Sequence, residues 1–319
     1  MKMRRSRKLM LVIVSVLCMV LMAGSMSVFA DEAADSDLSD IMERGVLVVG
    51  ITDFAPMDFK DDDGEWIGFD ADLARLFAED LDLEVEFQEI DWDNKILELN
   101  AGTVDCIWNG MTLTDEVNEA MECTHPYALN AQVVVMKADV LADYADAESM
   151  VDLSFAVEAG SAGEAVAQEN GFTVNAVQNQ AAALMEVAAG TSDACVIDKT
   201  MADAMTGEGT SYEDLAYEVS LSSEEYVVGF RKGSDAAELL DLFFLGCMAD
   251  DTMTKLAEKY DNAVSIVELD FEALLESALG DADLTGESLE GESEGESAES
   301  EAAEGEAESA APADAQEAK

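Results

Sequence analysis

The side chains that most often carry catalysis are scarce in this chain. A single histidine, His125, precedes Pro126, so a histidine-based metal site or a conventional nucleophilic triad has only one residue to draw on. A packed or surface imidazole is the simpler reading. Ala159-Gly160-Ser161-Ala162-Gly163 has the outline of a nucleophile elbow, but Ala159 stands where that turn needs its first glycine. Asp61-Asp62-Asp63-Gly64 has the composition of a calcium loop, yet counting back from Gly64 puts Phe59 at the first ligand position. It reads as a solvated hairpin turn.

The remaining chemistry is that of binding. Ser161 follows the strand-like run Leu153 to Val157 and opens an amphipathic stretch, so it either offers free helix-start amides to an anion or serves as a plain N-cap. Asn109-Gly110-Met111-Thr112-Leu113-Thr114 follows the apolar run Asp105 to Trp108. There a glycine lets the backbone approach a ligand and hydroxyls precede a helix. Asp198 ends the run Cys195 to Ile197 at the matching place further along, and a carboxylate opposite anion-favouring amides suits an ammonium group.

These residues need a scaffold that brings strand ends together. From Val46 strands and helices alternate: Val46 to Ile51, then Phe69 to Leu81 with helical periodicity, then Leu83 to Ile90 with period two, then Asn94 to Asn100 and Asp105 to Trp108. Such a series predicts a mainly parallel sheet flanked by helices, with ligands at the carboxyl ends of its strands. The segment Ile96 to Cys106 repeats in type and order as Leu184 to Ala194, including Gly102-Thr103-Val104-Asp105 against Gly190-Thr191-Ser192-Asp193. Two α/β lobes of similar build follow. The apolar strands Ala131 to Lys137 and Glu225 to Arg231 are long enough to cross between lobes and form a two-strand hinge. Helices over Ala236 to Met248 and Met253 to Tyr260 would then return to the first lobe. The expected organisation is residues 1–30 as a signal peptide, 31–130 as the first part of lobe 1, 131–227 as lobe 2, 228–280 as its return and 281–319 as a tail.

The chain has 319 residues, enough to bury a large core. Lys2, Arg4, Arg5, Arg7 and Lys8 lead the apolar run Leu9 to Met22, and Val28-Phe29-Ala30 offers small residues for cleavage, the pattern of a secretory signal. Cys18 lies inside that run, so no acyl anchor is expected there. Beyond Gly280 the sequence is mostly Glu, Ser, Ala and Gly, a composition expected to stay disordered. The formal net charge is −55, and residues 31–280 alone carry about −47. That field repels nucleic acid, anionic membranes and polyanionic substrates. Cys106, Cys123, Cys195 and Cys247 form no CxxC or metal-type cluster; at least two sit in apolar runs that favour buried thiols, and one disulfide stays open.

The order of the segments resembles the polar amino-acid-binding family of bacterial solute-binding proteins, extracellular family 3, which serve ABC importers. The likeness runs from about Gly45 to Ala263 and rests on Gly45 to Gly50, Phe54-Ala55-Pro56-Met57, Gly68-Phe69-Asp70-Ala71-Asp72-Leu73-Ala74, Gly110 to Thr114, Pro126-Tyr127 and Gly160-Ser161. The resemblance implies a type 2 periplasmic-binding fold that closes by hinge motion. It implies that Phe54 and Trp92 sandwich a ligand side chain, and that the Gly110 carbonyl, the Thr112 hydroxyl and Asp198 hold an α-ammonium. The amides of Thr112 and Ala162, beside Ser161, would hold the α-carboxylate. Two departures bear on the ligand: Val117 stands where the family's carboxylate-gripping arginine belongs, and Ala162 where a hydroxyl residue is common. Lys199 is a candidate substitute for that arginine. The ligand expected is an amino acid, a modified one or an amine.

These readings together predict an exported monomer, periplasmic or at the cell surface, that captures a small ligand for an ABC permease without catalysis, cofactor, metal or nucleic acid. The alternatives are a dehydratase-like enzyme on the same scaffold, with Asp198 and Glu164 as its acid/base pair, and a sensory or cell-surface protein whose tail contacts a partner.

Overall fold

The computed structural model describes residues 36–267; the expected signal peptide and acidic tail lie outside them. Ser36 caps the helix Asp37–Arg44, its side chain accepting from the Ser39 amide, and Gly45 closes it in a left-handed conformation. Strand β1 (Val46–Ile51) follows, then the hairpin β2 (Phe59–Lys60) and β3 (Trp66–Ile67), whose turn is the acidic run Asp61 to Gly64. The helix Phe69–Asp80 leads to β4 (Glu84–Glu89), which pairs in parallel with β1 from Val46 opposite Glu84 to Ile51 opposite Glu89. The short helix Lys95–Asn100 leads to β5 (Cys106–Thr112), parallel to β1 on its other side.

The chain continues through the helix Asp115–Ala120, β6 (Met121–Cys123), β7 (Ala128–Asn130) and β8 (Gln132–Lys137). Strand β9 (Ser154–Glu158), the helix Ala162–Glu169, β10 (Thr173–Val177), the helix Gln180–Ala189 and β11 (Ala194–Asp198) form a second βαβ series. After the helix Lys199–Met205 come β12 (Leu215–Ser220), β13 (Glu224–Arg231), the helices Ala236–Ala249 and Thr252–Lys259, and β14 (Ser265–Ile266).

Two main sheets result, with orders β14-β7-β13-β5-β1-β4 and β10-β9-β11-β8-β12. The series β4-β1-β5-β13 in one matches β10-β9-β11-β8 in the other, each with three parallel strands and an antiparallel fourth. This is the structural form of the internal repeat, and it gives the protein two lobes of similar build. The first lobe's core gathers Trp108 with Phe77 and Phe244, ring centroids 6.4 and 5.5 Å away. A smaller apolar cluster around Phe155, Phe172 and Met150 fills one face of the second sheet.

The strand expected to cross at Glu225 to Arg231 lies wholly in the first sheet. Its antiparallel ladder with β5, β6 and β7 holds it there, and the chain passes between sheets at residues 221–223 instead. The other crossing falls at Ala131, between β7 in the first sheet and β8 in the second. Asn109 to Thr112, expected as a loop after a strand ending at Trp108, is instead the continuation of β5. An irregularity in its register with β13 lets pairing resume at Met111 and Thr112. No helix among the described residues is long and apolar enough to cross a membrane.

Candidate ligand-binding site

A cavity of about 260 Å3 lies between the two lobes and is lined from both. It sits at the carboxyl ends of β1, β5, β9 and β11, as expected of sheets of this kind. Thr52 and Asn109 tie two of these ends together: the Thr52 amide and hydroxyl donate to Asn109 Oδ1 at 3.0 and 2.8 Å, and Asn109 Nδ2 returns a bond of 3.2 Å to the Thr52 carbonyl. Gly110 follows with φ +52°, and a β-carbon there would come within 2.5 Å of Phe54 Cε1. Glycine is therefore required for the Phe54 ring to lie where it does. Phe54 and Trp92 both line the cavity and are almost fully buried. Trp108, by contrast, belongs to the core.

The lobes touch across the cleft. Gly160, in the second lobe with φ +69°, lies so close to Asp93 of the first that an added β-carbon would be 2.7 Å from Asp93 Cα. Lys95 reaches over from its helix: its Nζ donates to the Gly160 carbonyl at 2.8 Å, and lies 5.0 Å from the Trp92 ring centroid. Burial pulls the Lys95 ammonium below its usual range, against the fields of Glu116, Glu158 and Asp93.

Asp198, the last residue of β11, is 4% exposed. It accepts from Tyr226 Oη at 2.8 Å, from Gln132 Nε2 at 3.2 Å, and from the side-chain amides of Asn130 and Gln180. Gln180 also accepts from the Asp198 backbone amide at 2.9 Å. Burial first, then the neighbouring Glu224, raises the Asp198 carboxyl to about 8. Glu158, which ends β9 and also lines the cavity, is 3% exposed and is raised to about 8 by burial and then by Asp198. Its Oε1 has no hydrogen-bond partner, and neither has Oε1 of the buried Gln132. Sequence reading missed Glu158, Gln132, Gln180, Lys95 and Glu224. The one available signal was an acid at the end of the otherwise apolar run Phe155 to Val157, directly before Ala159-Gly160-Ser161.

Thr112 and Ser161 line the cavity, but their groups have other tasks. The Thr112 hydroxyl donates to Glu224 Oε1 at 2.8 Å. Ser161 is the N-cap of the helix Ala162–Glu169: its Oγ accepts from the Glu164 amide at 3.0 Å, while Glu164 Oε2 accepts from the Gly160 amide at 2.8 Å. The Ala162 amide takes no part in this capping. Glu164 is thus a helix-capping group, and nothing pairs it with Asp198. Lys199 does not line the cavity; its ammonium bonds Asp203 across one helical turn. Val117 lines the cavity at 2% exposure and packs with Trp92 and Met111. His125 lies elsewhere, its Nδ1 2.7 Å from Asp241 Oδ2. All four cysteines of the described region are free thiols, three of them buried. Among the described residues no cluster of metal-ligating side chains occurs.

Residues 47–263 match the family model of bacterial extracellular solute-binding proteins, family 3. The chain belongs to that family. Among curated relatives it is similar to the L-cystine-binding protein TcyJ of Escherichia coli K12, at 25% identity over 79% of this chain and 95% of the relative. It is also similar to the lysine/arginine/ornithine-binding periplasmic protein of the same strain, at 29% identity over 66% and 84%. Among solved structures, an ancestral amino acid-binding protein described as a precursor of cyclohexadienyl dehydratase superposes with a TM-score of 0.65 at 31% identity, covering 70% of this chain and 99% of that one. A histidine-bound ABC uptake transporter substrate-binding protein of Streptococcus pneumoniae superposes with a TM-score of 0.67 at 27% identity, over 74% and 100%. As a family 3 member the protein is a two-lobed solute-binding protein of the periplasmic type.

Proposed function

We propose that this family 3 protein captures a small amino-acid-like ligand in the interlobe cavity and presents it, as a monomer, to the permease of an ABC importer. The observation that carries the reading is Asp198, a buried acid at a strand end that lines the interlobe cavity together with two aromatic side chains. In this reading Asp198 and the Gly110 carbonyl take the ligand's ammonium and Phe54 and Trp92 enclose its body. Thr112, Ser161 and Ala162 complete the wall on either side of the cleft. Lobe 1 comprises residues 31–130 and 224–280 and lobe 2 residues 131–223, the expected boundary at 227 moving back because the strand Glu224–Arg231 pairs only within the first sheet. Residues 1–30 direct export and leave the mature chain outside the cytoplasmic membrane, and the acidic residues 281–319 act as a solubilising spacer.

Relatives that bind cystine, basic amino acids or histidine support an amino-acid-like ligand. Calorimetry and thermal-shift measurements with the full set of amino acids and small amines test it: saturable binding of at least one is expected, and none across the set would sink the reading. Catalysis on this scaffold is the second reading, favoured by the raised carboxyl of Glu158 beside Asp198. It predicts conversion of a carboxylate substrate in a product assay, whereas a binding protein returns its ligand unchanged.

A further inference from the structure

One buried charge in the cleft has no counter-charge in contact with it. Among the described residues Lys95 is the one lysine or arginine that is buried, at 7% exposure, and the one cation that lines the cavity. No carboxylate oxygen of those residues lies within 4.0 Å of its Nζ. The ammonium donates instead to two backbone carbonyls, Gly160 at 2.8 Å and Trp92 at 3.4 Å, which account for two of its three N–H groups. Asp93 and Glu116 are exposed and act on it from a distance, and Glu158, raised to about 8 by burial and then by Asp198, holds its proton at pH 7. Buried charges in proteins are normally paired, because an ion withdrawn from water without a partner is costly.

The groups around Lys95 favour an anion as the missing partner. The helix Asp115–Ala120 carries no basic residue and turns Val117 to the cavity, so no second cation competes. The carbonyl that Lys95 holds lies two residues before Ala162, whose amide lines the cavity and takes no part in capping its helix. A lysine from the first lobe and a backbone donor from the second thus meet at one turn of the chain.

We infer that Lys95 receives the carboxylate of the ligand, with the Ala162 amide beside it, so that the protein selects an amino acid over the amine that lacks this group. An ion pair made away from water is stronger than one at the surface, and a charge-assisted bond to a carboxylate fills the remaining N–H of the ammonium. The ligand's own ammonium goes to Asp198, so a zwitterion is held by one charge from each lobe. Burial alone pulls the Lys95 ammonium below its usual range, and a carboxylate in contact restores it. The inference rests on the solute-binding reading and adds the group that recognises the ligand's negative end.

Calorimetry at pH 7 tests it by comparing amino acids with their decarboxylated amines: arginine with agmatine, histidine with histamine, cystine with cystamine, and likewise for any other amino acid that binds. The parent is expected to bind about ten- to a hundredfold more tightly than its amine, and Lys95→Met to bring the two within about threefold of each other. An amine that binds as tightly as its parent or without it, or a Lys95→Met protein that keeps the wild-type ratio, overturns the inference and leaves the solute-binding reading standing. A chain that binds nothing in the wider set of amino acids and amines ends that reading itself. Should Lys95→Met fail to fold, a crystal structure of the wild-type protein with its tightest-binding parent decides: a ligand carboxylate oxygen hydrogen-bonded to Lys95 Nζ is expected, and a carboxylate held elsewhere overturns the assignment.

Discussion

Asp58 and Asp70 in the first lobe are as deeply buried as Glu158 and Asp198 at the cleft, and burial raises all four carboxyls, Asp70 to about 7. Their surroundings differ in kind. Asp70 accepts from Tyr127 Oη at 2.9 and 2.8 Å and from the Gly110 amide at 2.7 Å, and Asp58 accepts from Asn109 Nδ2 at 2.8 Å. Both lie behind the strand end that carries Gly110, outside the cavity lining. Asp58 Oδ1 and Glu158 Oε1 are both buried and unpaired, but only Glu158 is a residue that lines the cavity. A buried acid is therefore a poor guide to function by itself. What separates support from recognition is whether the acid stands in the wall of the cavity or behind it.

The comparison breaks at its strongest point with Asp198→Ala. Removing one partner of a buried ion pair costs about 3–5 kcal/mol, so calorimetry should show ligand affinity falling by more than a hundredfold. Unchanged affinity would place the ligand elsewhere. Asp70→Ala should do the reverse, stranding the Tyr127 hydroxyl and the Gly110 amide at about 2–3 kcal/mol in urea unfolding while affinity changes less than stability. Trp92→Ala sharpens the contrast further, since lost stacking and burial should weaken binding by about 1–2 kcal/mol with little effect on the melt.

The smallest effect is on pH. Carboxyls raised in the folded state keep protons that the unfolded chain has released, so their stabilising contribution is full below about pH 4 and is lost as pH rises through 7 to 8. The ligand-free melting temperature should therefore fall between pH 5 and pH 8, by about 2–4 °C for each 1 kcal/mol in a fold of this size. Saturating ligand should flatten the part of that slope owed to Glu158 and Asp198 and leave the part owed to Asp58 and Asp70.

The repeated unit was legible because Gly102 to Asp105 and Gly190 to Asp193 mark the same helix-to-strand corner twice, and local pattern suffices for that. The places of Phe54 and Asp198 at the cavity were legible because one lies in a segment that carries the family resemblance and the other ends an apolar strand-like run, while Trp92 came with the resemblance alone. Glu158 was not, since its environment depends on Asp198, which lies 40 positions away in sequence and comes beside it only through the second sheet. The crossing at residues 221–223 was misplaced for a similar reason: Tyr226 to Phe230 reads as one apolar strand from either lobe, and only its pairing with β5, β6 and β7 decides which sheet owns it. Local propensity cannot carry that choice.

Gly160 has one further consequence. Because its bare α-carbon rests against Asp93 and its carbonyl receives Lys95, the second lobe meets the first here through its backbone. A single methyl group there would act as a doorstop, keeping the rim ajar and admitting water to every occupant alike. How tightly this protein shuts is thus governed by an atom it lacks.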